Sequence, residues 1–138
     1  PMGSHCGAVA AHAGMWGAAE DTATDFMGRL AVVPMVLEAR GLDVTPSMIE
    51  IFKRPQNDPA ASAAVDALNV IYAEEVHHVA YGSKWFHFLC GRENLDPKDA
   101  FHELVQRYFH GALKPPFNEE KRAEAGLPPD FYWPLSER

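Results

Sequence analysis

Residues 68–89 read LNVIYAEEVHHVAYGSKWFHFL and carry the clearest helical pattern in the chain. Apolar side chains recur there at the i, i+3, i+4 and i+7 spacing of one helix face. The members of this predicted face are Leu68, Ile71, Tyr72, Val79, Trp85, Phe86 and Leu89. Glu75 and His78 lie one turn apart in the middle of it, where a charge is costly to bury. Because one metal ion would satisfy both groups, we interpret them as a candidate ligand pair.

The same stretch contains a second pair with identical spacing, Glu74 and His77. Helical phase places this second pair on the more polar side of the helix, so Glu75 and His78 are the preferred candidates. A simpler interpretation stays open at this point. In it, His78 only hydrogen-bonds Glu75 one turn away, on a partly exposed helix.

Composition narrows the class of protein. The 138 residues are enough for one domain with a modest core, and 47% of them are hydrophobic. The net charge of −7 argues against binding to nucleic acid or to anionic membranes. No run approaches the roughly 18–20 continuous apolar residues of a membrane-spanning helix. Cys6 and Cys90 form no disulfide framework, which favours the reducing cytoplasm. Pro1 before Met2 is typical of a protease-site remnant, so Met2 is the expected native start.

The N-terminal part of the chain predicts an arm and two helices. Residues 1–10 are small and Gly/Ala-rich, and we expect an extended or mobile arm. A helical pattern from His12 to Arg40 predicts the first long helix, with Gly41 ending it and Pro34 kinking it. Thr45 and Pro46 are an N-cap and first-turn proline, which predict a short separate helix reaching Lys53.

The remainder predicts two more helices and a tail. The second long helix should run from about Pro59 to Gly91, and a third should begin at Asp96-Pro97. Residues 11–112 then form one all-α helical domain. Residues 113–138, rich in proline and aromatic residues, should pack over it as an extended strap.

Glu38 completes the candidate constellation. It lies on the buried side of the first long helix, while the second supplies Glu75 and His78. One Glu on one helix and Glu-x-x-His on the next is half of a carboxylate-bridged dinuclear metal site, whose full form needs two such sets from four helices. Alternatively, Glu38 is a solvated or Arg-paired carboxylate near a helix end.

Several segments resemble a bacterial ferritin-like family catalogued as domain of unknown function 455. They are RLAVVP at 29–34, LEARGLDVTP at 37–46, EEVHHVAYG at 74–82 and LKPPFN at 113–118, in the order of that family. The resemblance implies a ferritin-like bundle, with the family's Glu and Glu-x-x-His falling on Glu38, Glu75 and His78. The chemistry it implies is that of di-iron proteins, a group that includes ferroxidases and oxygenases.

The chain departs from this family in length, because members are about twice as long and only their C-terminal half is resembled. The N-terminal helix pair with the other ligands is absent, and position 77 is His where the family has a small residue. A two-fold homodimer would supply the missing ligands by building four helices from two hairpins. The alternative is an excised or degenerate half whose site is incomplete.

This reading implies an oxidoreductase that acts on O2, peroxide or a small molecule. Its cofactor would be two iron ions per dimer site, with manganese or zinc as alternatives. The candidate neighbours that would orient the ligands or relay electrons are Tyr72, Tyr81, Glu74 and His77, and packing or surface roles are the alternative for each. Two other functions stay open: a non-catalytic helical interaction module with structural or adventitious metal, and a nucleophilic enzyme using Cys90.

Overall fold

The computed structural model describes residues 13–55 and 57–136, and the regular secondary structure of this part of the chain is helical apart from one isolated β-bridge between Leu113 and Ser136. The all-α prediction is therefore confirmed for the described residues. The elements are α1 (Gly14–Asp21), α2 (Phe26–Val32), a π-helix (Val33–Glu38), α3 (Ala39–Phe52), α4 (Pro59–Glu93), α5 (Pro97–Tyr108), α6 (Glu119–Glu124), α7 (Pro129–Tyr132) and a 3₁₀-helix (Trp133–Leu135). The predicted arm at 1–10 lies outside the described residues.

Helix α4 is the longest element and matches its predicted bounds to within two residues. Its 35 residues correspond to a length of about 52 Å. The Asp58 side chain accepts hydrogen bonds from the N–H groups of Ala60 and Ala61, and Asn94 ends the helix in the left-handed conformation at φ 56°. The proline at the first helical position explains why the sequence located the start of this helix, whereas its end at Glu93, before the Asn94 cap, lies two residues beyond the predicted Gly91.

The buried face of α4 differs from the predicted one. Val79 and Phe86 are buried as expected, but Ile71 and Trp85 are about half exposed. The residues that α4 buries are Ala61, Val76, Val79, Gly82, Ser83, Phe86 and Cys90. Apolar residues lie on two sides of this helix, so spacing alone did not identify the side that packs against the rest of the domain.

The predicted first long helix is interrupted after Asp21, and this part of the prediction is wrong. The chain turns through Thr22–Asp25, where the Thr22 hydroxyl donates to the Ala18 carbonyl at 2.7 Å. Asp25 then caps α2 by accepting from Gly28 N at 2.8 Å, and the Tyr108 hydroxyl donates to the other Asp25 oxygen at 2.8 Å. A local cap held by a distant tyrosine therefore starts a new helix.

From Phe26 to Phe52 the helix is continuous, so the predicted end at Gly41 and the predicted new start at Pro46 are also wrong. Pro34 produces a π-helical segment, in which Ala39 N–H donates to the Pro34 carbonyl five residues back. Pro46 lacks the N–H that the Leu42 carbonyl would accept within the helix. The Asn118 side chain donates to that carbonyl at 3.1 Å, which compensates for the missing bond.

The tail folds more than predicted. Instead of an extended strap throughout, residues 113–136 contain α6, α7 and the 3₁₀-helix. Phe131 and Tyr132 are buried in the same core as Phe86 on α4 and Phe101 on α5. The tail therefore completes the hydrophobic core, and α5 begins at the predicted Asp96 cap.

Candidate functional site

The candidate site lies between the π-helix with α3 on one side and α4 on the other. Two close approaches fix these elements. A Cβ atom added to Gly82 would lie 2.4 Å from Pro34 Cβ and Cγ, and one added to Gly41 would lie 3.0 Å from Glu75 Oε1. As residue numbers rise from 34 to 41 they fall from 82 to 75, so the two elements are antiparallel. Both glycines therefore allow the helices to approach closely at the site.

Glu75 and His78 are in direct contact. His78 Nδ1 lies 3.1 Å from Glu75 Oε2. The Glu75 side chain is 17% exposed, whereas that of His78 is 52% exposed. The hydrogen-bonded arrangement that the sequence left open is thus present, and it engages Nδ1 of His78 and leaves Nε2 without a partner among the described residues.

Glu38 interacts electrostatically with this pair. Burial and the nearby Glu75 carboxylate raise the pKa of Glu38 above 4.5, while His78 opposes the shift. The neighbouring Arg40 is engaged elsewhere, because its Nη1 donates to the Lys114 carbonyl at 2.6 Å. Glu38 forms no ion pair within the described part of the chain, so the structure gives no support to an Arg-paired Glu38. Two partly buried carboxylates and one imidazole therefore share this region.

The three groups do not form a complete metal site in one chain. Across residues 13–55 and 57–136, no three His, Cys, Asp or Glu side chains are close enough together to hold a metal ion. What one chain provides is a carboxylate–imidazole pair and a second carboxylate nearby. These donor types suit iron, manganese or zinc, but further ligands would have to come from outside the described residues.

The candidate neighbours are placed differently from one another. Tyr72 is half-buried, and its hydroxyl accepts a hydrogen bond from Asn118 Nδ2 at 2.8 Å, so it joins the tail to α4. Tyr81 is 63% exposed. Glu74 and His77 are exposed, as helical phase predicted. The second Glu-x-x-His pair therefore lies on the surface of α4.

Large apolar side chains flank His78 on the exposed side of α4. Tyr81, Trp85 and Phe88 follow it at helical spacing, and each is more than half exposed. Ile71 lies two turns before His78 on the same side and is half exposed. Three such aromatic residues together offer roughly 300 Å² of accessible apolar surface. A patch of this size is in the range of the largest apolar patch on an ordinary monomer, which is often functional.

Sequence reasoning missed a buried ion pair next to the site. Arg122 Nε and Nη2 donate to the two carboxylate oxygens of Asp43 at 2.9 and 2.6 Å, and the Asn118 backbone N–H donates to Asp43 at 2.9 Å. The guanidinium lies over the adjoining rings of Phe117 and Tyr132, 4.8 and 4.6 Å from their centroids. Asp43, Phe117 and Asn118 belong to the LEARGLD and LKPPFN segments, so these motifs join the tail to α3.

Cys90 is unsuited to nucleophilic chemistry. Its side chain is fully buried, and burial together with Asp96 raises the pKa of the thiol. A thiolate is therefore disfavoured at neutral pH. Cys6 lies outside the described residues.

Comparison with known proteins identifies the family. The model of a family described as protein of unknown function (DUF455) matches residues 1–133. An uncharacterized protein of Haemophilus influenzae is 39% identical over 126 residues, which is 91% of this chain and 42% of that relative. The chain therefore belongs to the DUF455 family and spans less than half the length of this relative. No solved structure matches the chain. None of the described helices is long and apolar enough to cross a membrane.

Proposed function

We propose that the chain is half of a ferritin-like dinuclear metal protein, an oxidoreductase of the oxygenase or ferroxidase type whose site is shared across a homodimer. One observation carries the proposal: Glu75 contacts His78, and Glu38 interacts electrostatically with both, beside an apolar surface that the described residues leave uncovered. Two copies of this set supply four carboxylates and two imidazoles, the ligand set of carboxylate-bridged di-iron bundles.

The proposal assigns a role to each donor. His78 would bind metal through Nε2, since Nδ1 already contacts Glu75. Glu75 would orient the imidazole with Oε2 while Oε1, held over Gly41, stays available to a metal. Glu38 would give the second carboxylate, and a cation would relieve its repulsion from Glu75. Iron or manganese bound here would supply redox chemistry toward O2 or peroxide, whereas zinc would not.

The homodimer part of the proposal rests on the apolar side chains around His78. A second copy packed on Tyr81, Trp85 and Phe88 would bring its own donors toward the first set. In a polypeptide as long as the Haemophilus relative, a second helical hairpin of the same chain is the alternative cover. The expected setting is the cytoplasm, because the two cysteines form no disulfide framework.

Helix α4 provides a matched control for testing the metal ligands. The protein is purified without chelator, loaded with Fe(II), desalted and assayed for bound iron and mass in solution. We expect two ions per dimer in the wild type, loss of bound iron in Glu75→Gln and His78→Gln, and full retention in Glu74→Gln and His77→Gln. Because the control pair has the same spacing on the same helix, equal losses from both pairs would sink the proposal. So would a wild type without stoichiometric iron, manganese or zinc.

A second candidate function, a non-catalytic interaction module, is favoured by the Glu75–His78 contact and by the exposed aromatic residues. It predicts a dimer that forms without metal and is unaffected by Glu75→Gln. Trp85→Lys tests the dimer that both the shared metal site and the interaction module require. The substitution should dissociate the dimer under either function, whereas Leu95→Lys, at a half-exposed leucine beyond α4, should not. A wild type that is monomeric at all concentrations would refute the shared site.

A further inference from the structure

A cavity of about 420 Å³ lies on the side of α3 where the tail returns to the domain. Its apolar wall combines the π-helix with the segment that follows α5 and the start of the tail. The apolar residues that line it are Val36, Leu37, Phe109, Ala112, Leu113 and Phe117. Such a volume and lining suit a small organic molecule.

The polar part of the lining is entirely cationic or neutral. Arg40, Lys114, Arg122 and His110 contribute to the wall, and no Asp or Glu is among its lining residues. This is unusual in a chain whose net charge is −7. Asp43 offsets part of this positive charge, because it pairs with Arg122 and with Arg40. The two arginines and Lys114 still outnumber that one carboxylate, so a bound anion would meet attraction that the overall charge of the protein does not provide.

Arg122 has an unsatisfied donor in this region. Its side chain is only 3% exposed, and Nε and Nη2 are bonded to Asp43, but Nη1 is buried without a hydrogen-bond partner among the described residues. Arg40 Nη1 donates to the carbonyl oxygens of Lys114 and Pro116 and also lies 3.5 Å from Asp43 Oδ2. The Lys114 ammonium itself has no partner in the described part of the chain. Two cationic groups thus keep free donor capacity.

We propose that this cavity binds a small organic monocarboxylate with an apolar or aromatic body. The carboxylate would accept a hydrogen bond from Lys114 Nζ and, after a side-chain movement that uncovers it, from the buried Arg122 Nη1, and the body would pack against Phe109 and Phe117. Inorganic phosphate fits less well, because the apolar wall gives it no partners. This site is separate from the Glu38, Glu75 and His78 set and does not depend on the metal proposal.

The test is a titration of the full chain with benzoate, followed by calorimetry, with benzamide and inorganic phosphate as comparison ligands. We expect saturable one-to-one binding of benzoate with a dissociation constant on the order of 1 mM. Benzamide, which has the same shape without the charge, should bind at least about fivefold more weakly. Equal binding of benzamide, equal binding of phosphate, or no saturable benzoate binding up to about 10 mM would overturn the proposal.

Two variants locate the binding. Lys114→Gln should weaken benzoate by about fivefold and leave the melting temperature unchanged, because this side chain is exposed. Ala112→Phe should abolish binding by filling the cavity. Lys98→Gln, at a surface lysine on α5, is the control and should bind like the wild type. Benzoate binding that is unchanged in Lys114→Gln, or equally weakened in Lys98→Gln, would contradict the assignment.

Discussion

Gly82→Ala tests whether the close approach of the two antiparallel helices holds the candidate site together. The new methyl group would lie 2.4 Å from Cβ and Cγ of Pro34, whereas ordinary contacts are at 3.4–4 Å. The helices would have to separate by about 1 Å, since neither the proline ring nor the helix backbone can rotate away. Overpacking of this kind costs about 1–3 kcal/mol, and the rigid partner places this case at the upper end. The better helix propensity of alanine returns about 1 kcal/mol, which leaves a net loss of about 2 kcal/mol.

Gly91→Ala is the matched control on the same helix. Nothing lies within 4 Å of a Cβ at position 91, so only the propensity gain remains and this variant should be stabilised by about 0.5–1 kcal/mol. Urea unfolding at one fixed protein concentration, with the slope compared between variants, measures both changes. A Gly82→Ala variant as stable as Gly91→Ala would refute the reasoning, because it would mean that Pro34 does not press on α4.

Two further predictions concern charged groups. Asp43→Asn should lower the free energy of unfolding by about 3–5 kcal/mol, because it leaves the Arg122 guanidinium buried without its counter-charge. The control is Glu103→Gln, which breaks an exposed ion pair on α5 and should change the urea midpoint little. Equal effects of the two substitutions would contradict the stabilising role of the buried pair. Glu38→Gln should stabilise the metal-free protein near pH 7 by about 0.5 kcal/mol. Because the pKa of Glu38 is raised in the folded protein, ionising Glu38 costs stability as the pH rises from about 4.5 through the folded-state pKa. The stability gained by Glu38→Gln should therefore vanish at about pH 4. Thermal unfolding with chelator at about pH 4 and about pH 7 measures this difference. A glutamine variant less stable than the wild type at pH 7 would contradict this sign.

Local signals predicted the elements whose ends are set locally. Helix α4 begins at the predicted Pro59, behind the Asp58 cap, and Asp96 with Pro97 starts α5, as their residue types indicate. The predicted end of α4, at Gly91, lies two residues before the observed end at Glu93. The continuous helix through Pro46 could not be predicted in this way. The bond that replaces the one lost at Pro46 comes from Asn118, 76 residues away from Leu42. No pattern within one segment carries that information.

For the candidate ligands, too, helical phase predicted some features and long-range packing set the others. Helical phase separated the partly buried Glu75 from the exposed Glu74, and the structure agrees with that separation. It did not reveal that Gly41 makes room for the Glu75 carboxylate, since Gly41 read as a helix end. Nor did it reveal the Asp43–Arg122 pair, because Arg122 lies in a segment that showed no amphipathic pattern. Contacts between segments far apart in the sequence determine both the Gly41–Glu75 approach and the Asp43–Arg122 pair.

The error in predicting which face of α4 is buried shows something about what this helix packs against. A helix with apolar residues on two sides needs two partners to bury them, and the described residues cover only the side with Val79 and Phe86. Trp85 and Phe88 remain on the other side, in line with the exposed ring of His78. A partner helix packed along this side of α4 would cover both the aromatic residues and the imidazole, because they lie within two to three turns of one another on one helix face. In the proposed dimer, the interface and the candidate ligands would therefore be linked in position, because a partner that covers both Trp85 and His78 would exclude water from the Glu75–His78 pair.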